Sequence, residues 1–302
     1  MSEKSSSIRK FRELSWTEIA GVAKETFVEF FKENGLFHGA ALSYYTIFAL
    51  VPIIYLSIIS FGQIIGQETM IEIITKLLKE QVGIRDVSGI IDFLKTFDFE
   101  KGNFILNIVG IIALVISSTA LFASLKHSIN EFLDIHPHEY DSKRKKFLAN
   151  LFSRLISVAL LGFFGLLVVV TYFAQTILIS FGNKLFEHAN TIHWIVLVFA
   201  QHGIALFSNV VIFLFVFKYL HDGNVPWKLA WAGSLVTATM LYLGQLLIKY
   251  YLLNYFFVKE GGVAGTLLVI LAWMYYSSQI IFFGAKFTAV YGKKVGYTIH
   301  ER

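Results

Sequence analysis

The stretch FHGAALSYYTIFALVPII, residues 37–54, is apolar enough to cross a bilayer. A hydrocarbon core about 30 Å thick needs about 20 mostly apolar residues per helix. The same stretch contains two adjacent tyrosines and Pro52, which removes a backbone donor and bends a helix. Such a break survives in lipid only where neighbouring groups satisfy the freed carbonyl. The stretch therefore predicts a bent helix that lines a cavity or moves, or a static kink that improves packing.

The composition of the whole chain agrees with a membrane protein. Of its 302 residues, 56% are hydrophobic and only 16% are charged, with a mean hydropathy of +0.63. That is more apolar surface than a soluble domain can bury. The absence of cysteine excludes disulfides and thiolate chemistry. The first 35 residues contain no apolar core of signal-peptide length, so we expect no cleaved signal.

Six apolar stretches are long enough to span the bilayer. They are residues 37–61, 104–125, 151–179, 194–217, 229–248 and 263–285. The predicted fold class is all-α, a polytopic membrane protein with a six-helix transmembrane domain over residues 36–290. We expect a cytoplasmic amphipathic helix in residues 1–35, an external helical loop over about 63–103, and a cytoplasmic tail in 291–302.

The distribution of Lys and Arg predicts the orientation, because positive segments stay in the cytoplasm. With six spans, sixteen of these residues fall on the side of the N-terminus and eight on the opposite side. Both termini are therefore predicted to be cytoplasmic.

Two segments outside the spans have helical periodicity. In residues 15–35, Ser15 and Glu18 have capping-box spacing, an aromatic stripe recurs at helical intervals, and Asn34 ends the helix. This helix lies either in the headgroup boundary or on the cytoplasmic face of the protein itself. The external segment 68–102 alternates Ile and Leu with charge, which suits a lid over an outward-facing opening or a solvated helical hairpin.

The sequence contains no motif of a hydrolase, since neither a cluster of metal ligands nor a serine at a strand-to-helix elbow is evident. One candidate metal site is EFLDIHPHEYD, residues 131–141, where two histidines flank Pro137, and a solvated turn is the alternative. We predict no catalytic, cofactor or metal site, no enzymatic activity and no nucleic-acid partner.

Polar residues within the spans indicate helix contacts or a polar cavity. His202 and Asn209 lie in the fourth span and either bond to neighbouring helices or line a cavity. Arg154 lies just inside the third span. Lys249 and Lys286 lie where the fifth and sixth helices leave the hydrocarbon, where a lysine ordinarily reaches the headgroups. No span contains Asp or Glu.

Two segments, HGAALSYYTIFALVPIIYLS at 38–57 and GGVAGTLLVILAWMYYSSQIIFFGAKFTAVYG at 261–292, resemble the YihY/BrkB family of bacterial inner-membrane proteins. A third likeness is SLKHSINEFLDI, which contains Asn130. The residues that match the family patterns are Ala40, Ala41, Tyr44, Tyr45, Pro52, Gly262, Gly265, Trp273, Tyr275, Tyr276, Gly284 and Ala285. The chain departs from the family at Lys286, where an acidic residue is common.

The resemblance implies a six-span protein of the bacterial inner membrane. The activities proposed for the family range from cation/proton antiport to transport of envelope lipids. An antiporter ordinarily uses carboxylates within the membrane, which these spans lack. We therefore expect a transporter or flippase-like carrier of an anionic envelope component or lipid. The alternatives are a cation (sodium)/proton antiporter and a non-transporting scaffold for envelope integrity. Membrane lipids are the expected partners. The sequence is compatible with both a monomer and a homo-oligomer.

These arguments predict two groups of site residues. The cavity or transport residues are Tyr44, Tyr45, Pro52, His202, Asn209, Trp273, Tyr276, Gln279 and Lys286, and the headgroup contacts are Lys126, Arg154 and Lys249. Small residues let helix backbones approach closely, so we expect the first and sixth helices to pack together through Gly39 and Ser43 on one and Gly265 and Gly284 on the other. Together they should form one wall of the cavity near Pro52.

Overall fold

The computed structural model describes residues 14–79, 104–135, 143–185, 191–254, 262–297 and 299–301. Within them the helices are α1 (Trp16–Lys32), α2 (Gly35–Ile65), α3 (Gln67–Leu77), α4 (Phe104–Phe132), α5 (Lys143–Leu185), α6 (Thr191–Tyr219), α7 (Trp227–Asn254) and α8 (Gly262–Lys294). The strands are β1 (Gly223–Asn224) and β2 (His300–Glu301).

Five of these helices, α4 to α8, are long and apolar enough to cross a membrane. α2 is a sixth candidate in two pieces, Gly35–Leu50 and Ile53–Ile65, which are bent by 42°. The bend falls at residues 51 and 52, where the sequence places Pro52, so the predicted break is confirmed. The predicted class, an all-α polytopic membrane protein, is also confirmed.

Local signals explain where the first helices begin and end. The Ser15 hydroxyl accepts from the Glu18 amide, and the Glu18 carboxylate accepts from the Ser15 amide at 2.9 Å, which completes the predicted capping box. Asn34 has φ +56°, in the left-handed region, and separates α1 from α2. Gly66 has φ +92° and separates α2 from α3, where a side chain would be strained.

The six long helices contact one another in a closed order. α2 packs on α4 and α8, α8 packs on α7, α7 on α6, α6 on α5, and α5 on α4. The α7 and α8 contact is reciprocal, because Gly284 faces Thr237 and Gly233 faces Thr288. Each threonine bonds to the glycine carbonyl one turn earlier in its own helix, so its hydroxyl is satisfied. Glycine faces of this kind bring membrane helices close together.

One end of the bundle, which we call the α1 end, collects segments from across the chain. β1 pairs with β2 in an antiparallel ribbon, with Gly223 opposite Glu301. The sequence predicted a tail from residue 291, but α8 continues to Lys294 and the tail then returns to the α6–α7 connection. The opposite end, which α3 covers, is called the α3 end.

α1 packs on the bundle through one face and leaves a second face open. Val22, Thr26 and Phe30 are buried, and the Phe30 ring lies 5.7 Å from that of Phe132. Trp16 is 87% exposed, and Phe27 is exposed beside it. Of the two predicted placements, packing on the protein is therefore realised, with an aromatic surface remaining outside.

Candidate functional site

A cavity of about 310 Å³ lies towards the α3 end, and we call it the α3 cavity. α3 covers it with Ile73, Lys76 and Leu77, while α5, α6, α7 and α8 form its walls. This volume is on the order of that of ten water molecules. α3 is therefore more than a solvated hairpin, since its apolar face, with Met70 and Ile73, is buried in the core. Residues 80–103 of the predicted external loop lie outside the described residues.

The α3 cavity combines apolar walls with uncharged polar groups and one cation. Trp273, Met274, Leu241 and Ile212 are among the large apolar residues that line it. Its polar lining residues are Lys76, Thr171, Gln175, Ser208, Asn209, Gln245 and Ser277. None of the described lining residues is Asp or Glu. The charge of the described lining is therefore positive.

Lys76 is placed at the cavity by the amphipathic pattern of α3. Because Ile73 and Ile74 are buried, Lys76 lies half-buried beside them, with its Nζ 5.0 Å from the centre of the Tyr172 ring. A cation over an aromatic face gains about 0.5–1 kcal/mol. Among the described residues no carboxylate forms an ion pair with Lys76.

Ser277 presents a second available group. Its hydroxyl oxygen is buried and has no hydrogen-bond partner among the described residues. A buried polar group without a partner costs about 1–3 kcal/mol. Thr171, by contrast, donates to the Leu167 carbonyl and lies 2.9 Å from the Ser208 hydroxyl of α6. A polar ligand in the α3 cavity would relieve the cost at Ser277.

Two of the predicted cavity residues, Asn209 and Trp273, line the α3 cavity. His202 instead accepts from or donates to the Tyr242 hydroxyl and ties α6 to α7. Tyr276 lies against Gly244 of α7, with its hydroxyl 3.5 Å from the Met240 carbonyl. The hydrogen bonds expected between neighbouring helices are thus present for His202.

α2 contributes none of the described residues that line the α3 cavity, contrary to the expected wall near Pro52. α2 and α8 do pack together, since Gln279 fills the space over Gly39 and donates to the Leu36 carbonyl at 3.3 Å. The other expected contact was wrong, because Gly284 faces α7. Tyr44 and Tyr45 are exposed, and Tyr45 lines a second cavity between α2 and α4 rather than the α3 cavity.

Several predicted residues lie outside the described side chains. These are Pro52, Arg154 and Lys249, together with residues 136–141 of the candidate metal segment. Within the described part of the chain, no group of three His, Asp or Glu residues is placed to hold a metal ion.

Lys126 has a partner inside the protein rather than an open position at the headgroups. Its Nζ lies 2.7 Å from Asp222, and Asn130 exchanges two hydrogen bonds with the same residue. These bonds tie the end of α4 to the α6–α7 connection.

Lys286 is also enclosed by protein, and it does not reach the headgroups as its position in α8 suggested. It is 1% exposed, and its Nζ lies 2.6 Å from Glu33, 3.2 Å from Asp134 and 3.3 Å from Glu29. Lys293 adds a 2.7 Å ion pair to Asp134. Lys286, Glu29, Glu33 and Asp134 form the Lys286 cluster, which fastens α1 and the end of α4 to α8.

Sequence reasoning missed the partners of Lys286, although a signal was present. Glu25, Glu29 and Glu33 are spaced by four and therefore share one face of α1. Glu25 pairs with Lys294 at 3.2 Å, while the other two reach Lys286. An acidic stripe beside the aromatic stripe of α1 indicates that a basic surface of the protein packs against this helix.

The pKa values of Glu33 and Asp134 in the Lys286 cluster are shifted in opposite directions. Burial raises the pKa of Glu33, and the bond and charge of Lys286 offset this only in part. Burial also acts to raise the pKa of Asp134, but the hydrogen bond from Lys293 and the charge of Lys286 outweigh it and lower that pKa. The cluster therefore holds Asp134 more firmly in its charged form than Glu33.

These features define a polytopic helical membrane protein with a polar cavity between its long helices, lined in part by a lysine. The family model described as Virulence factor BrkB matches residues 26–301, which is nearly the whole chain. The chain belongs to the BrkB family, as the two segments around Tyr44 and Trp273 predicted. No solved structure matches it.

Proposed function

We propose that this protein is a flippase-like carrier of an anionic envelope component or lipid, and that it is a transporter rather than an enzyme. We place it in the bacterial inner membrane with both termini in the cytoplasm. The observation that supports the proposal is the α3 cavity, in which Lys76 stands among amides and hydroxyls with no acid in the described lining.

The chemistry of the lining favours an anion over a cation. A phosphate oxygen accepts strong hydrogen bonds from an ammonium group, and Lys76 has no carboxylate partner among the described residues. Asn209, Gln175 and Gln245 add amide donors, and Ser277 adds a hydroxyl without a partner. Trp273 and Met274 offer apolar surface to the hydrocarbon part of an amphiphile. A cation would instead need carboxylates in this position.

The Lys and Arg distribution supports the orientation. In the six-span arrangement the sequence has sixteen of these residues on the side of the N-terminus, against eight on the opposite side. With the α1 end in the cytoplasm, the α3 cavity lies in the external half of the bundle. The carrier would then exchange its substrate with the outer leaflet.

The experiment is a flipping assay with the full chain in proteoliposomes. Fluorescent phosphatidylglycerol and phosphatidylcholine with equal chains are compared by dithionite quenching, for the wild type, Lys76→Gln and Lys79→Gln. We expect faster flipping of phosphatidylglycerol and a loss of at least about tenfold in Lys76→Gln, the worth of one charged hydrogen bond. Lys79 is exposed on the same segment and serves as the matched control.

Wild-type flipping at the rate of protein-free vesicles would overturn the proposal. Equal rates in Lys76→Gln and Lys79→Gln would remove Lys76 from the site. Sodium-dependent proton release from the same vesicles, without lipid movement, would favour the antiporter instead.

A further inference from the structure

A second cavity of about 480 Å³ lies between α2 and α4 towards the α1 end, and we call it the α2–α4 groove. Its floor is formed by the small residues Ala41, Ala120 and Ala123. Its polar end includes His38, Ser124 and His127. None of these residues lines the α3 cavity, so the groove is a separate feature of the bundle.

The imidazoles of the groove and its alanines lie at different depths along the membrane normal, and Tyr45 of the lining lies seven residues beyond His38 on the alanine side. His127 lies near the end of the α4 span, Ile111–Phe132, whereas Ala120 lies two turns deeper. At 1.5 Å per residue this difference is about 10 Å. The polar end is therefore at the level of the headgroups, and the alanine floor is at the level of the acyl chains.

The wall that surrounds the groove faces outward with large apolar side chains. Tyr44 and Phe48 of α2 are 58% and 59% exposed, and Ile116 of α4 is 66% exposed. Apolar surface on the outside of a membrane-spanning bundle contacts lipid. A molecule of the bilayer is therefore the occupant with direct access to the groove.

A carboxylate stands beside the imidazoles at the polar end. The Glu131 Oε2 lies 3.4 Å from the His38 Nε2 and 3.8 Å from the His127 Nε2. The His38 Nδ1 is bonded to the Ser128 hydroxyl at 2.8 Å, which fixes that ring. The end of the groove therefore offers an acceptor with negative charge together with imidazole and hydroxyl donors.

We propose that the α2–α4 groove binds a phospholipid with a primary-amine headgroup. The ammonium group donates to Glu131, the phosphate accepts from His127 and Ser124, and an acyl chain lies over the alanine floor. A quaternary ammonium has no N–H to donate to the Glu131 carboxylate. A headgroup without an amine brings neither a donor nor a positive charge to that carboxylate. This inference goes beyond the proposed function, because the lipid here is held at a different site from the one that carries substrate.

The test uses the full chain, purified and delipidated, with phosphatidylethanolamine, phosphatidylcholine and phosphatidylglycerol of equal chains titrated by native mass spectrometry. We expect phosphatidylethanolamine to bind about tenfold more tightly than phosphatidylcholine, and Glu131→Gln to abolish that preference. Glu72→Gln removes an exposed acid at the α3 end and should leave the preference unchanged. Ala123→Phe fills the floor and should weaken binding of all three lipids.

Equal binding of phosphatidylethanolamine and phosphatidylcholine by the wild type would overturn the proposal. So would a preference that persists in Glu131→Gln, or tighter binding of phosphatidylglycerol that is unchanged when the α3 cavity is altered by Lys76→Gln. The readout is binding without transport, so its failure leaves the flipping assay of Lys76→Gln untouched, and the failure of that assay leaves this one untouched.

Discussion

Lys286 and Lys76 lie at opposite ends of the bundle, and their surroundings differ in charge. Lys286 is 1% exposed and has Glu29, Glu33 and Asp134 around its Nζ. Lys76 borders the α3 cavity, with the Tyr172 ring at 5.0 Å as its neighbour. The first charge is paired with three carboxylates of the protein, and the second has no carboxylate partner among the described residues. A lysine in a membrane protein thus takes its role from what packs against it.

The two ends are not distinguished by how closely their helices pack. Near the α1 end, Gly284 faces Thr237 and leaves no room for a side chain. Gly244 of α7, next to Gln245 of the cavity lining, is packed equally tightly against Tyr276. Gly203 of α6 is exposed, and a side chain there would meet no atom within 4 Å among the described residues. The two ends therefore differ in the partners of their lysines rather than in packing density.

The largest expected change in stability follows from removing the charge of Lys286 at the α1 end. Lys286→Met leaves the carboxylates of the Lys286 cluster without their shared partner, which we expect to destabilise the protein by about 3–5 kcal/mol. Thermal unfolding in detergent measures this. Lys293→Met is the control, because Lys293 is 52% exposed and its one ion pair within the described part of the chain is with Asp134. Equal losses in the two variants would contradict the central role given to Lys286.

The next effect compares a buried glycine with an exposed one. A Cβ at Gly284 would lie 3.0 Å from the Thr237 Cβ, so Gly284→Ala should cost about 1–3 kcal/mol through overpacking. Gly203→Ala should gain up to about 1 kcal/mol, since alanine favours the helix and meets no neighbour among the described residues. The two unfolding curves should therefore move in opposite directions. A shift to lower stability in Gly203→Ala would contradict the open position of Gly203.

A smaller effect is the pH dependence of the Lys286 cluster. The pKa of Asp134 is lowered from 3.8, so its contribution to stability is present above that value and is lost as the pH falls through the lowered pKa. The pKa of Glu33 is raised from 4.5, so its contribution is present below that value and is lost as the pH rises through the raised pKa.

Unfolding temperatures of Asp134→Asn and Glu33→Gln, measured from pH 3 to pH 8, test both signs. The difference between the wild type and Asp134→Asn should be larger at neutral pH than in acid. The difference between the wild type and Glu33→Gln should change in the opposite direction. Parallel curves for the two variants would mean that burial does not dominate at Glu33.

The smallest expected change in stability belongs to Lys76→Gln. This substitution removes a cation–aromatic contact, so the loss should stay below about 1 kcal/mol. The same unfolding measurement is used as for Lys286→Met. A loss as large as that of Lys286→Met would make Lys76 a structural residue and would end the contrast between the two lysines.

Features that depend on near neighbours were predictable from the sequence. The Ser15 capping box, the end of α1 at Asn34 and the bend beside Pro52 each follow from a few adjacent residues. The spans follow from hydrophobic length, because the thickness of the bilayer limits each helix from outside. The family was also predictable, because the match over residues 26–301 and the likeness of the two quoted segments both depend on the sequence alone.

The sites depended on contacts that no local pattern contains. Lys286 bonds to Glu33 across 253 positions and to Asp134 across 152. The sequence by itself determined that α8 is a helix with a lysine near its end, because helix formation is local. Only the tertiary structure decided that this lysine meets carboxylates, that Gly284 faces α7 rather than α2, and that the cavity lies beneath α3. The reason is that periodicity tells which residues share a face of a helix, whereas the packing of distant segments decides what that face touches.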